Sequence, residues 1–457
     1  MKKRSTLAQR LCGLIVATLC AGGTTAAVAD AQDERIKALE QSLARSTAVI
    51  EALAARVAEL ERASAPPPAP VRAARAGASA PAGSPEDQAR AIAALQQDVS
   101  QIVETMGKSS GETGTPVHGF IDVGAGWSSA HDPSHQRGFN AGSLDIYLTP
   151  QIGERVKSLI EMVFESTPQG SVLDLERIQL GYTVNDAVTL WAGRFHTPFG
   201  QWNTDFHHGA NLQNSISRPD VIEFEDRGGL IPAHSVGLWL TGKVRLGAGR
   251  LNYDAYLANG PSIRDRELDP GVLTDRNADK MLGFRLGYQA NQGLGGLTLG
   301  VHGFASDVGQ YSLDDTLRNT TQLRVLGGYV VYDAQDWELR GEYYGFRNRD
   351  APASQTRRSN AGFVQLGRSL GAWTPYARYE SAALDPLDSY FRSLASARPY
   401  RYVAAGLKYA LDASSSFKLE LRGSHDAAYS QLDDTGAPIA VDAASYRRAQ
   451  LQYSIAF

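Results

Sequence analysis

The sequence has little cysteine and, beyond its first thirty residues, no long apolar run. Both cysteines, Cys12 and Cys20, lie near the N-terminus. A helix that crosses a membrane needs about 20 apolar residues in a row, so a protein with several membrane-spanning helices is excluded. The 45 Lys and Arg residues are balanced by 49 Asp and Glu residues. This balance speaks against the basic surface of a nucleic-acid-binding protein.

The N-terminus has the features of a secretory signal peptide. Residues 2–4 are basic, residues 11–21 are apolar but too few to span a bilayer, and residues 27–29 form a small-x-small cleavage motif. Cleavage after Ala29 assigns residues 1–29 to the signal peptide and removes both cysteines. We therefore expect a mature chain without disulfides, located in the periplasm, the outer membrane or the medium.

Residues 30–62 carry a heptad pattern. Apolar residues occupy the two seam positions of the heptads at Ile36, Leu39, Leu43, Ile50, Leu53, Val57 and Leu60, with Ser46 as the one polar member. This pattern predicts a coiled coil, with a lone amphipathic helix as the alternative. Residues 63–90 form a Pro- and Ala-rich linker, and residues 91–116 form a short helix and a second linker.

From residue 117 to the C-terminus, apolar and polar residues alternate with the period of a β-strand. At the end of the chain, one face of such a strand carries Ala449, Leu451, Tyr453, Ile455 and Phe457. The pattern predicts sixteen strands, near 117–127, 143–152, 155–165, 174–184, 188–198, 234–246, 250–260, 280–290, 297–307, 321–333, 337–346, 360–370, 373–382, 399–411, 417–426 and 446–457.

Two fold classes give this alternation: a soluble sandwich with a packed apolar face, and a membrane barrel with an apolar face towards lipid. Charges of both signs on the presumed inner face favour the barrel, as does the alternation of short and long connections. Aromatic residues near the strand ends also favour it, namely Trp127, Tyr182, Trp191, Trp239, Trp337, Trp373, Tyr453 and Phe457. The sequence predicts an all-β transmembrane barrel of about sixteen antiparallel strands over residues 117–457, preceded by an α-helical coiled coil.

One segment resembles a known family. Residues 192–200, AGRFHTPFG, resemble the GxF-x-x-PFG segment of the phosphate-selective porin O/P superfamily. The heptad region before the barrel resembles that of the trimeric DcaP-type outer-membrane porins. The resemblance covers the barrel in outline, with the 192–200 motif and the terminal Phe457 in detail. It implies a homotrimer in which the loop after the fifth strand folds inward and narrows the pore.

The loop after the fifth strand, residues 199–233, is the longest predicted connection. A loop of this length is usually functional. Its predicted constriction residues are Arg218, Glu223, Glu225, Asp226 and Arg227. These mixed signs differ from the arginine ladder expected of a phosphate-selective member, so the resemblance implies the architecture and not the substrate.

Basic residues on the predicted inner face would line the pore. They are Arg177, Lys243, Arg245, Arg285, Arg324, Arg340, Arg378 and Arg422. Charged rings set the ion preference of a pore. Two interpretations stay open: a wall whose opposite charges pair across strands, and a mild preference for anions.

No cofactor, metal or catalytic site is predicted. His196, His207 and His208 are close in sequence, but an adjacent His pair on a loop lacks the fixed set of ligands that a metal needs. Ser424, His425 and Asp426 alternate between the two faces of one strand, so they cannot form a catalytic triad among themselves.

Together these observations predict a porin in the outer membrane of a Gram-negative bacterium, with its N-terminal region in the periplasm. It would let small hydrophilic solutes, anions among them, diffuse passively. The expected partners are outer-membrane lipid, two further copies in a homotrimer, and peptidoglycan bound through the coiled coil; no nucleic acid is expected. The alternative is a structural tether or adhesive surface protein whose coiled coil binds peptidoglycan or a partner.

Overall fold

The computed structural model describes residues 117–130, 137–167, 170–206, 211–223, 229–269, 279–291, 295–350 and 355–457. The predicted signal peptide, the coiled coil and both linkers lie outside the described residues. No helix in the described ranges is long and apolar enough to cross a membrane.

Sixteen long strands form the structure, as the alternation predicted. In chain order they are β1 Val117–Ser128, β2 Ser143–Leu148, β3 Val156–Thr167, β4 Gly170–Asn185, β5 Val188–His196, β6 His234–Leu246, β7 Gly249–Asn259, β8 Lys280–Ala290, β9 Leu297–Tyr311, β10 Leu317–Ala334, β11 Trp337–Asp350, β12 Arg357–Arg368, β13 Trp373–Ala383, β14 Tyr400–Ala410, β15 Ser415–Asp426 and β16 Ala444–Ala456. Shorter strands lie in the connections, at Gly138–Asn140, Gln151–Ile152, Ser262–Arg264, Glu267–Asp269, Tyr429–Leu432 and Pro438–Val441.

The sixteen strands close into a barrel. Each strand pairs antiparallel with the next one along the chain, from β1–β2 to β15–β16. The ring is completed by β1 and β16, which are paired from Phe120 opposite Ala456 to Ser128 opposite Arg448. Closure leaves no strand edge with unpaired backbone groups, which is the condition for crossing a hydrocarbon layer with strands.

Side chains alternate between a polar interior and an apolar exterior. On β11, Arg340 and Glu342 are 8% and 7% exposed, whereas Tyr343 between Glu342 and Tyr344 is 55% exposed. The outer surface carries large exposed apolar residues on many strands, among them Leu180, Leu238, Leu282, Leu326, Val403, Leu421 and Leu451. This is the inverse of a soluble β protein and the arrangement of a barrel whose outer face meets lipid.

Aromatic side chains gather on the outside at one end of the barrel. Trp373 contacts Tyr409 with ring centroids 4.3 Å apart, and Phe417 contacts Tyr453 at 4.6 Å. Trp337 is on the same end of β11 and is 39% exposed. Outer-membrane barrels carry such aromatic girdles at the membrane interfaces.

Two of the predicted girdle residues belong to the interior instead. Trp191 and Trp239 stack on each other with ring centroids 6.1 Å apart. The indole Nε1 of Trp239 donates to Asp254 Oδ1 at 3.0 Å. A partly buried indole N–H is satisfied by such a partner, and the polar lumen provides it.

The two ends of the barrel differ in their connections. At the aromatic end, tight turns join the strands, for example residues 186–187, 247–248 and 335–336. Gly247 has φ +57°, a left-handed conformation that glycine adopts without strain. At the other end the connections are long, with residues 197–233 between β5 and β6 and residues 384–399 between β13 and β14. We call these the short-turn end and the long-loop end; in outer-membrane barrels the short turns are periplasmic.

The faces of β7 allow a test of this orientation. Asn252 points inward beside Lys243 on β6, and its neighbour Leu251 points outward. A small water-soluble thiol reagent should modify Asn252→Cys in intact outer membrane, and should leave Leu251→Cys unmodified because lipid covers it. Mass spectrometry of the labelled protein measures both. The reverse labelling would mean a soluble protein with an apolar core.

Candidate functional site

The connection 197–233, which we call the long loop, is fixed at both of its ends. The backbone N–H of Thr197 donates to the Ala233 carbonyl at 2.8 Å, and the Thr197 hydroxyl bonds Ser235 Oγ at 2.7 Å. The side-chain amide of Asn203 donates to the carbonyls of Thr197 and Ala233 at 3.0 and 2.8 Å. The first and last residues of the loop therefore leave the barrel wall together.

The Pro-Phe-Gly segment after Thr197 explains why this motif starts the loop. Phe199 is fully buried and packs against Phe304 and Tyr344, with ring centroids 6.1 and 6.0 Å away. Gly200 has φ +52°, and a Cβ atom here would lie 2.0 Å from Glu342 Oε2. Only glycine allows the backbone both this conformation and this close approach.

Three inward-pointing glutamates receive backbone N–H groups of the long loop. Glu342 on β11 accepts from the N–H groups of Gln201 and Trp202, both at 2.7 Å, at the start of the short helix α1, Trp202–Asp205. Glu380 on β13 accepts from the Val221 N–H at 3.0 Å. A buried carboxylate needs several donors; for Glu380 the Tyr400 and Tyr402 hydroxyls of the wall complete the set.

The third glutamate, Glu420 on β15, accepts from the backbone N–H groups of Ile216 and Ser217 at 3.1 and 3.3 Å. It also accepts from the hydroxyl of Tyr376 at 2.6 Å. The three carboxylates lie on β11, β13 and β15, whereas the loop leaves the wall at β5 and β6. The loop therefore crosses the lumen and lies against the wall of β11–β15.

Two inward-pointing arginines of the same wall also bind the loop. Arg378 on β13 is 1% exposed and donates to the Ser217 and Arg218 carbonyls at 2.9 and 3.1 Å. Arg422 on β15 is 5% exposed and donates with both terminal nitrogens to the Asp220 carboxylate, one of them at 2.9 Å. The fork of a guanidinium suits such two-point binding. These two predicted pore-lining residues are covered by the loop, and their charges are used to hold it.

Asp220 opens a 3₁₀ turn, Asp220–Ile222, whose Val221 and Ile222 are buried. Burial alone would raise the pKa of Asp220, but the Arg422 guanidinium overrides this and holds the pKa below its ordinary value of 3.8. Asp220 therefore stays ionised at neutral pH and pairs with Arg422.

The connection 384–399 packs onto the long loop from the long-loop end. It contains the short helix α2, Ser389–Arg392, whose N-cap Asp388 accepts from the Tyr390 N–H at 3.1 Å and from Asn348 Nδ2 at 3.0 Å. Burial raises the pKa of Asp388 to about 7. The Tyr390 hydroxyl donates to the Leu230 carbonyl at 2.8 Å. The interior on the β11–β15 side is thus filled by two connections.

The opposite side of the lumen holds a cavity towards the short-turn end. A polar cavity of about 820 Å³ lies between the start of the long loop and the wall of β3–β10. Gln201 and Asp205 line it from the loop. Charged residues line it from the wall and the short turns, namely Lys157, Asp186, Lys243, Arg250, Asp254 and Arg285.

Arg285 connects the cavity wall to the loop. Its Nε donates to Asp254 Oδ2 at 2.8 Å. Its Nη1 donates to the Gly200 carbonyl at 3.0 Å and to Thr204 Oγ1 at 2.8 Å. Arg285 thus lines the cavity as predicted and also holds the start of the loop.

The other predicted pore residues fall into different environments. Arg177 points inward and pairs with Glu161, and Lys243 lines the cavity. Arg245 is inward but exposed near the short-turn end. Arg340 pairs with Asp333 at 2.9 Å.

The assignment of Arg324 to the lumen is wrong. On β10 its neighbours Leu323 and Val325 are 0% and 4% exposed and belong to the packed interior. Val325 is opposite Phe346, which is also buried. Arg324 therefore points outward. The interpretation failed because at this level the lumen side of β10 is apolar.

The predicted constriction residues are only partly described. The Arg218 carbonyl accepts a hydrogen bond from Arg378, and Glu223 is the C-cap of the 3₁₀ turn. Glu225, Asp226 and Arg227 lie outside the described residues, so their role stays a prediction.

A buried cluster of His and Glu side chains lies at the root of the long loop. The ligand atoms of Glu176, His196 and His234 all lie within 4.8 Å of one another. His234 Nε2 is 2.7 Å from Glu176 Oε2. Arg194 Nη2 is 3.8 Å from the same carboxylate oxygen, so a cation already competes for it. The arrangement joins the last residue of β5 to the first of β6 through Glu176 of β4.

Sequence reasoning identified His196 but grouped it with His207 and His208, which lie outside the described residues. It missed His234 and Glu176, because only the strand register places His234 opposite His196.

For the serine-histidine-aspartate run on β15, the faces alternate as expected: Ser424 accepts from Arg422 Nε at 2.8 Å, and His425 is exposed and contacts Ser445.

No family model and no curated protein matches this sequence. Among solved structures, the chain is similar to an anion-selective porin from Comamonas acidovorans, with 13% identity, a TM-score of 0.53, and coverage of 75% of this chain and 99% of that chain. It is similar to the trimer form of OmpT, an outer membrane protein of Vibrio cholerae, with 12% identity, a TM-score of 0.51 and coverage of 75% and 99%.

The outer membrane channel DcaP of Acinetobacter baumannii is also similar, with 15% identity, a TM-score of 0.46 and coverage of 75% and 97%. The fold follows from the first two comparisons, whose TM-scores are above 0.5: at 12–13% identity they establish a shared closed β-barrel and no more. Membership of the phosphate-selective porin O/P superfamily stays a prediction.

The pairing of Asp220 with Arg422 predicts a pH-dependent contribution to stability. Because the folded pKa is below 3.8, this contribution is present above that pH and is lost as the pH falls through the folded value. Asp220→Asn should destabilise the protein at pH 7 by about 1–3 kcal/mol, and the difference from wild type should shrink near pH 3.

Thermal melting of the purified barrel at the two pH values measures this effect. Asp336→Asn, in a short turn at φ +69°, is the matched control because asparagine tolerates that conformation. Equal melting of Asp220→Asn and wild type at pH 7 would show that the pair does not stabilise the loop.

Proposed function

We propose that this protein is an outer-membrane porin through which small hydrophilic solutes diffuse passively. One observation carries the proposal: the long loop is bound to the β11–β15 wall, and a polar cavity of about 820 Å³ is left along the β3–β10 wall. A barrel that served only as an anchor has no need of a loop held across its lumen by three buried carboxylates. A barrel that sorts solutes needs a narrowed passage of fixed shape.

The narrowing is set by the start of the long loop. Gln201 and Asp205 reach the cavity, and Lys243 and Arg250 face it from the wall. Since Glu342 and Arg285 hold the loop backbone at Gly200–Trp202, the width of the passage is fixed rather than adjustable. The predicted residues Glu223, Glu225, Asp226 and Arg227 would add charge further along the loop.

The charges of the cavity favour anions mildly. Arg285 and Asp254 pair with each other. The remaining wall and loop charges are the cations Lys157, Lys243 and Arg250 against the anions Asp186 and Asp205. A narrow polar passage has little water to screen such charges, so an excess of cations biases permeation towards anions.

We propose that the apolar exterior meets the lipid of the outer membrane, with the long loops outside the cell and the short turns in the periplasm, as in other outer-membrane barrels. We propose a homotrimer held by contacts between barrels, and no enzymatic activity. Binding of peptidoglycan through residues 30–62 is part of the same proposal. The alternative function, a structural tether or adhesive protein, differs in one measurable respect: it predicts no conductance.

Deleting residues 203–226 should raise the single-channel conductance severalfold, because it removes the part of the loop that occupies the lumen. Planar-bilayer recordings measure it. The control is deletion of residues 433–437, the tip of the hairpin formed by Tyr429–Leu432 and Pro438–Val441, which lies at the long-loop end and away from the cavity. Unchanged conductance in the 203–226 deletion would refute the constriction, and no conductance in wild type would favour the tether.

Charge changes in the cavity should shift ion selectivity in opposite directions. Lys243→Gln should move the reversal potential in a salt gradient towards cations, and Asp205→Asn should move it towards anions. Arg368→Gln, on the outer face of β12, should leave it unchanged. A shift of the same sign in both cavity variants would contradict the proposed role of these charges.

A further inference from the structure

Four arginines gather on the outside of the barrel near the long-loop end of β10–β12. Arg324, Arg347, Arg349 and Arg358 are all exposed. Arg347 and Arg358 are directly opposite each other on β11 and β12. Arg324, Arg347 and Arg349 line a cleft of about 180 Å³ together with Gln322 and Thr356. We call these four arginines the outer arginine cluster.

The strand register fixes the outward direction of the cluster. Arg347 lies between Phe346 and Asn348, which are each 1% exposed and belong to the interior. Arg358 is followed by Ser359, which is 5% exposed. Because side chains alternate along a strand, the arginines between these interior positions point away from the lumen.

The height of the cluster follows from the aromatic girdle. Trp337 marks the short-turn interface on β11, and Arg368 of β12 is opposite it with its guanidinium 5.0 Å from the ring centroid. Arg347 comes ten residues after Trp337, and Arg358 comes ten residues before Arg368. A tilted strand crosses the hydrocarbon layer in about 9–11 residues. The cluster therefore lies at the opposite interface, at the level of the lipid headgroups.

The described residues provide no ion-pair partner for the cluster. Like charges directly opposite on neighbouring strands destabilise a sheet. Among the described residues no ion pair joins any of the four arginines to a carboxylate. Asp307 of β9 interacts electrostatically with Arg324 without forming an ion pair.

We propose that the outer arginine cluster binds the phosphate groups of a phosphorylated glycolipid in the outer leaflet of the membrane. A guanidinium binds phosphate through two parallel hydrogen bonds. Neighbouring strands are about 4.8 Å apart, so the arginines of three strands can reach the same headgroup. Basic pockets at this level of a membrane bind anionic lipid headgroups in the same way. The inference requires the outer-membrane location but not the conductance, so each can fail alone.

The test is lipid binding by the full-length protein in detergent, measured by native mass spectrometry. The probes are a bisphosphorylated glycolipid and the same lipid without phosphate. The double variant Arg347→Gln, Arg358→Gln should bind the phosphorylated lipid at least about tenfold more weakly, since it loses two charge-assisted contacts. Arg368→Gln, an outward arginine of the same strand at the other interface, is the matched control and should bind like wild type.

Three outcomes would overturn the inference: equal binding by the double variant and wild type, equal binding of the lipid without phosphate, or the same loss in Arg368→Gln. A further arm replaces the lipid by inorganic phosphate at millimolar concentration. If the bound lipid is displaced only at high phosphate concentration, the cluster is a headgroup site. If free phosphate saturates the cluster at low concentration, the cluster is a site for free anions and the proposal that it binds lipid is overturned. Unchanged conductance of the double variant keeps this result separate from the porin function.

Discussion

The interior of this barrel depends on hydrogen bonds between buried carboxylates and loop backbone. Glu342, Glu380 and Glu420 would be costly to bury ionised without donors. The long loop would be costly to bury without acceptors for its N–H groups. Each partner lowers the cost of burying the other, and the guanidiniums of Arg378 and Arg422 add further hydrogen bonds to the loop. The position of the loop, the side of the lumen that holds the cavity and the charges that line it all follow from this exchange.

The barrel itself could be predicted from the sequence because its pattern is local. Alternation over about ten residues specifies a strand whichever partner it has, and sixteen such segments are found where they were predicted. The Pro-Phe-Gly motif likewise indicated the start of the long loop. Its physical reasons, the burial of Phe199 and the contact of Gly200 with Glu342, need the far strand and so could not be foreseen.

The contents of the lumen were predicted less well, and Arg324 shows why. On this strand the sequence interpretation took the apolar residues around Arg324 as lipid-facing and Arg324 itself as inward. Near the long-loop end the inside is a packed core of Phe304, Leu323, Val325, Tyr344 and Phe346, so this assignment is reversed there. Arg378 and Arg422 were assigned to the correct face but not to the correct role, because their partners are about 160 and 200 residues away in the chain. The cluster of His196, His234 and Glu176 was missed for a similar reason, because only the pairing of the strands brings these residues together.

These sequence separations also bear on how the barrel is completed. Ser217 is 203 residues from Glu420, and Gln201 is 141 residues from Glu342. Contacts between such distant positions form slowly, because a long stretch of chain must be ordered first. The long loop has no wall to bind until β11–β15 are in place, and the ring is sealed only when β16 meets β1. In the proposed porin, the passage would therefore acquire its final width only when the last strands are in place, because those strands carry the groups that hold the loop.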